Sequence, residues 1–67
     1  MRWTDIEDIV DALEEHYHDE EVETIRLADL HDLVITLNEF EDDPEKSNDR
    51  VLEALRDAWL ELRASNY

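Results

Sequence analysis

Apolar residues recur at three- and four-residue spacing in three stretches of the chain. This spacing places them on one face of a helix and predicts helices over about 5–17, 29–40 and 48–63. Between the first two, residues 24–27 alternate polar and apolar side chains, which favours a short extended segment. The pattern predicts an all-α fold, a small three-helix domain. The repeating positions are Ile6, Ile9, Val10, Leu13, Tyr17; Leu30, Leu33, Val34, Leu37, Phe40; and Val51, Leu52, Leu55, Ala58, Trp59, Leu62.

Residues with capping or helix-breaking chemistry mark the predicted helix ends. Thr4 and Glu7 have the spacing of a capping box, in which the two side chains satisfy free backbone amides at a helix start. Asp29 is the predicted start of the second helix, and Ser47 is the predicted cap of the third. Pro44 cannot continue a helix, so it separates the second helix from the third.

The chain has 67 residues, which is enough for one domain, 1–67, around one small core. Trp3 and Trp59 are predicted members of that core. His31 is predicted to pack against a helix or to bond to a loop, because the surrounding sequence supplies only acids as partners for acid–base chemistry. So short a chain leaves little volume for a pocket that could shift the pKa of a catalytic carboxylate, so no enzymatic activity is expected.

The chain contains neither cysteine nor glycine. It therefore holds no disulfide, thiolate metal site or sulfur nucleophile, and a glycine-rich phosphate-binding loop is excluded. No apolar stretch approaches the ~20 residues of a membrane span, and the first residues do not form an apolar signal segment. A cytoplasmic protein, monomeric when free, is expected.

Acidic residues dominate the charge of the chain, with 21 Asp and Glu against 6 Lys and Arg and a net charge of −15. Residues 1–23 alone carry −9. Acids recur every four residues on the polar faces of the first and third helices, where neighbouring like charges cost a few tenths of a kcal/mol each. A cation or a basic protein surface would relieve this repulsion, although a solvated face that maintains solubility is the more common explanation of one such row taken alone. The rows are Glu7, Asp11, Glu15 and Asp49, Glu53, Asp57, Glu61.

Carboxylates and imidazoles are densest around residues 14–21, after the first helix. Hard cations such as iron, calcium or magnesium accept several carboxylate oxygens, and imidazole also suits iron. The spacing matches no preformed cage, so the prediction is weak and exchangeable binding. The candidate ligands are Asp11, Glu14, Glu15, His18, Asp19 and Glu21.

The strong negative charge also restricts the class of partner. Nucleic acids and anionic membranes repel such a chain, so direct binding to either is not expected. The same carboxylates can imitate phosphates, which leaves a second hypothesis: an acidic interaction module or decoy that occupies the nucleic-acid-binding surface of a basic protein.

Several short motifs follow one another in a characteristic order and spacing. The most specific is Asp-Asp-Pro-x-x-Ser-Asn at residues 42–48. The other segments are Trp3-Thr4-Asp5, Ile9 with Ala12-Leu13, Thr24-Ile25-Arg26-Leu27, Asp29-Leu30-His31, Phe40-Glu41, Leu52-Glu53-Ala54 and Trp59-Leu60. In these segments the chain resembles the IscX family of small acidic bacterial proteins, over residues 3 to about 61.

The resemblance implies a domain related to the winged helix that serves iron–sulfur cluster assembly. It implies weak binding of ferrous or ferric iron and docking on the cysteine desulfurase, as an iron adaptor or donor or as a regulator similar to frataxin. A chain without cysteine can neither ligate a cluster through thiolates nor carry persulfide. The acids expected to contact the desulfurase are Asp5, Asp8, Asp11, Glu15, Asp42 and Asp43.

Overall fold

The computed structural model describes residues 1–66 and contains three α-helices, α1 (Ile6–His16), α2 (Leu27–Ile35) and α3 (Asp49–Asn66). A single 3-10 turn, Pro44–Lys46, precedes α3. α1 packs mainly on α3 and also contacts α2. The predicted all-α fold is confirmed, and within residues 1–66 no helix is both long and apolar enough to cross a membrane.

The core lies where the apolar faces of the three helices meet, as the spacing of apolar residues predicts. Trp59 is fully buried and Trp3 is 3% exposed, so the prediction that both belong to the core is confirmed. The loop after α1 also contributes two buried side chains. The buried set is Trp3, Ile9, Val10, Leu13, Val22, Ile25, Leu30, Val34, Leu37, Leu52, Leu55 and Trp59.

The second helix differs most from its predicted range of 29–40. It begins two residues earlier and ends at Ile35. Thr36 is the C-cap residue, and its hydroxyl donates to the carbonyl of Leu33 at 2.8 Å and pairs with the Tyr17 hydroxyl at 3.0 Å. The turn that follows carries Phe40 onto the ring of Trp3, with centroids 4.8 Å apart.

The segment predicted to be extended, 24–27, forms no strand in the described part of the chain. Residues 22–24 turn, with the amide of Ile25 donating to the carbonyl of Val22 at 3.4 Å. Arg26, the residue before α2, has extended backbone. The turn allows both Val22 and Ile25 to be buried, whereas in a strand two residues three apart would face opposite sides.

The predicted caps are each displaced by one or more residues. Asp5, not Thr4, precedes α1, and its carboxylate accepts from the amide of Arg2 at 3.0 Å. Asp29 lies in the first turn of α2, after Arg26 as N-cap. Asn48 caps α3, because its Oδ1 accepts from the amide of Val51 at 2.9 Å. Ser47, the predicted cap, ends the 3-10 turn and donates to the carbonyl of Pro44 at 3.4 Å.

Candidate acidic interaction surface

The outward face of α1 carries a continuous stripe of carboxylates. Asp8, Asp11 and Glu15 follow one another at three- and four-residue spacing, and Asp5 lies three residues before them. All four are exposed, because the opposite face of α1 buries its apolar residues in the core. Side chains at this spacing are neighbours on a helix surface. The stripe therefore presents four negative charges on one face.

Few of the acids in the domain have a basic partner. In the described residues, only Glu14 and Asp57 lie within 4.0 Å of an arginine nitrogen, those of Arg63 and Arg56 respectively. The α1 stripe takes part in neither pair. Its negative potential is therefore balanced by solvent ions alone and favours association with a basic surface.

Asp42 and Asp43, the two other predicted partner contacts, also accept hydrogen bonds from backbone amides of the domain. The Asp42 carboxylate accepts from the amide of Asp43 at 2.8 Å and from that of Trp3 at 3.2 Å. These two amide donors lower the pKa of Asp42 from its ordinary 3.8. Asp43 is exposed, and its Oδ1 accepts from the amide of Glu45 at 2.9 Å. Carboxylates have further lone pairs, so these internal bonds leave acceptor sites for a partner.

The structure divides the predicted metal ligands into two groups. Glu14 faces inward, with its side chain 19% exposed and Oε1 accepting from the indole of Trp59 at 3.2 Å. The others, Asp11, Glu15, His18, Asp19 and Glu21, are exposed. His18 Nε2 lies 3.4 Å from Asp19 Oδ1. In residues 1–66 no three His, Asp or Glu side chains already converge as a metal site.

A family model described as iron-sulphur cluster assembly matches residues 1–64 of this acidic three-helix domain. The chain belongs to the IscX family. An uncharacterized protein of Pseudomonas aeruginosa is 38% identical to it over 63 residues, which cover 94% of this chain and 96% of the relative. The family assignment supports a general role in iron–sulfur cluster assembly.

The structure explains the Asp-Asp-Pro-x-x-Ser-Asn segment by which the chain resembles the IscX family. Its aspartates bind backbone amides, its serine ends the 3-10 turn, and its asparagine caps α3. The Pro44 carbonyl lies 2.7 Å from Nε2 of His31. The ring of His31 stacks on Trp3, with centroids 5.4 Å apart. The prediction that His31 packs or bonds to a loop is confirmed. Residues 42–48 connect the start of the chain to the start of α3, and we call this segment the clasp.

In this IscX-family chain, Arg63 connects α3 to α1 and to the loop after α1, a role that the sequence analysis did not predict. Its Nε donates to Glu14 Oε1 at 3.0 Å, and its guanidinium lies over the Trp59 ring, 5.1 Å from the centroid. The only signal in the sequence is its place four residues after a core tryptophan, beside Leu62. The guanidinium also donates to three carbonyls of the loop after α1, those of Tyr17, His18 and Glu20.

Proposed function

We propose that the chain is a non-catalytic accessory protein of iron–sulfur cluster assembly that docks on the cysteine desulfurase through its acidic surface. The family assignment supports the assembly role, and the unpaired carboxylate stripe of α1 supports an electrostatic contact. The proposed contact residues are Asp5, Asp8, Asp11 and Glu15, with Asp42 and Asp43 of the clasp.

The absence of cysteine restricts the role that the chain can have in iron–sulfur cluster assembly. Sulfur transfer and thiolate ligation both need cysteine, and this chain has none. Sulfur and cluster therefore remain on other proteins throughout. What the chain contributes is its charge and its docking geometry, by which it presents iron or alters the activity of the enzyme it contacts.

Neutralising the α1 stripe is expected to weaken desulfurase binding about 30-fold. Exposed ion pairs contribute about 0.5 kcal/mol each, so four give about 2 kcal/mol. The variant is Asp5→Asn, Asp8→Asn, Asp11→Asn, Glu15→Gln. Its control changes the net charge equally on the exposed face of α3: Asp49→Asn, Glu53→Gln, Asp57→Asn, Glu61→Gln.

Calorimetric titration of the desulfurase with both variants measures the effect, with circular dichroism to check helicity. The control variant is expected to retain most of the affinity. Equal losses in both variants would mean that binding follows net charge alone. An unchanged affinity of the α1 variant would exclude this face as the contact.

We also propose that the chain binds iron weakly, through the exposed carboxylates and imidazole at the end of α1 and in the loop after it. The close pair of His18 and Asp19 supports this placement, since nitrogen and oxygen donors together suit iron. Glu15 and Glu21 are exposed on either side of that pair in the sequence. Glu14 already accepts bonds from Arg63 and Trp59, so the proposed site uses the other candidates.

Replacing Glu15, His18 and Asp19 together with serine is expected to remove most of the amide NMR broadening caused by ferrous iron under anaerobic conditions. All three are exposed, so helicity should be nearly unchanged. The control, Asp49→Ser with Asp57→Ser, also removes two negative charges and should leave the broadening in place. Calcium should compete at roughly millimolar concentration, because no rigid cage selects against it. Broadening centred on Asp42, Asp43 and Asp49 would refute this site.

A further inference from the structure

A groove of about 640 Å³ lies between the loop after α1 and the last turns of α3. None of the six acids proposed to contact the desulfurase lines it. The lining residues are Asp19, Glu20, Glu21, Val22, Glu23, Thr24, Leu60, Arg63 and Ala64.

The groove has an apolar floor and an acidic rim. Leu60, which is partly exposed, and Ala64, which is exposed, supply the accessible apolar surface, and the buried Val22 lies against them. Three exposed carboxylates, those of Asp19, Glu21 and Glu23, stand on the loop side. An occupant that satisfies both surfaces carries an apolar group with positive charges beside it.

Arg63, the one cationic side chain among the described lining residues, already forms hydrogen bonds within the domain. Arg63 directs its donors to Glu14 and to the carbonyls of the loop, and its side chain is only 17% exposed. These bonds attach the loop to α3, so the groove exists before any partner arrives. A preformed groove avoids part of the entropy cost of ordering a loop on binding.

We propose that this groove docks a basic segment of a partner protein in which an aliphatic side chain lies between lysine or arginine residues. The aliphatic side chain packs on Leu60 and Ala64, and the flanking cations pair with Glu21, Glu23 or Asp19. Charge complementarity selects this occupant, because an acidic or phosphorylated segment would be repelled and a purely apolar one would leave the rim carboxylates without partners. The proposal is separate from desulfurase docking by α1 and can hold or fail independently of it.

Three capped hexapeptides test the proposal: alternating Lys and Leu, alternating Lys and Ser, and alternating Glu and Leu. Amide NMR titration with EDTA present, to exclude bound metal, follows each of them. The Lys–Leu peptide is expected to bind about tenfold more tightly than the Lys–Ser peptide, from burial of the leucines, with shifts concentrated in residues 19–24 and 60–64. The Glu–Leu peptide should not bind. Equal affinity for the two lysine peptides, or shifts centred on α1, would overturn the proposal.

Two pairs of variants distinguish binding in the groove from attraction to the net negative charge of the domain. Ala64→Gln fills the groove from an exposed position and should weaken Lys–Leu binding about tenfold, whereas Ala54→Gln, exposed elsewhere on α3, should not. Glu21→Gln with Glu23→Gln should weaken binding more than Asp49→Asn with Glu53→Gln, which makes the same charge change. Equal effects within either pair would refute the groove as the binding site.

Discussion

Replacing Arg63 with alanine is expected to destabilise the domain by about 2 kcal/mol, between the cost for an exposed ion pair and the cost of removing one partner from a buried pair. The change removes the bond to Glu14, the contact with the Trp59 ring and the bonds to three loop carbonyls. The Glu14 carboxylate, 19% exposed, is then left with only the Trp59 indole as donor. A domain of this size has a total stability of roughly 3–10 kcal/mol, so the loss is a substantial part of it.

Urea unfolding at neutral pH measures the Arg63 effect, and two further variants define its origin. Arg63→Lys should recover little, because three donors on one nitrogen cannot replace a planar fork that reaches Glu14 and the loop carbonyls together. Arg56→Ala is the matched control. That arginine is 34% exposed and only 4.0 Å from Asp57, so its loss should cost less than about 0.5 kcal/mol. A cost below about 1 kcal/mol for Arg63→Ala would show that these bonds do not hold the loop in solution.

Replacing Trp3 with alanine is expected to cost about 3 kcal/mol, as is usual when a buried aromatic ring is removed. The ring is 3% exposed, stacks on His31 and meets Phe40 edge-on. Its Nε1 donates to the carbonyl of Asp43 at 2.8 Å. Trp3→Phe keeps an aromatic ring but loses this donor, so it should cost about 1–2 kcal/mol. Equal costs for the two variants would mean that the hydrogen bond, and not the packing, dominates.

Lowering the pH is expected to weaken the same clasp, because protonation of Asp42 weakens its bonds to backbone amides. The pKa of Asp42 is lowered in the folded state by the amides of Asp43 and Trp3. Its contribution to stability is therefore complete above its ordinary pKa of 3.8 and is lost as the pH falls through the lowered folded value. Asp42→Asn should remove this part of the acid dependence in urea unfolding from pH 6 to 2. An unchanged slope in that variant would contradict the assignment.

Local sequence pattern predicts the helices and their exposed faces well. The spacing of Ile9, Val10 and Leu13 fixes which side of α1 is buried, and the same geometry places Asp8, Asp11 and Glu15 outside. These relations involve residues three or four apart, so they are independent of how the helices cross. The resemblance to the IscX family was likewise visible in short motifs, and the family match over residues 1–64 confirms it.

Helix ends were predicted less well, because several groups compete for the same free amides. Asp29 and Ser47 have good capping chemistry, yet Arg26 and Asn48 occupy the N-cap positions. Packing decides between such candidates, since a cap contributes about 1 kcal/mol, whereas a buried leucine or tryptophan contributes more.

Tertiary structure alone decided the roles of Glu14 and Arg63. In the sequence, Glu14 is one acid among many and a plausible metal ligand. Its bond to Arg63 joins residues 49 positions apart, and no local pattern encodes such a separation. The crossing of α1 and α3 brings them together, and the partial burial of both side chains favours the pairing. The groove at residues 19–24 arises in the same way, since its two walls meet only after the loop is bonded to α3.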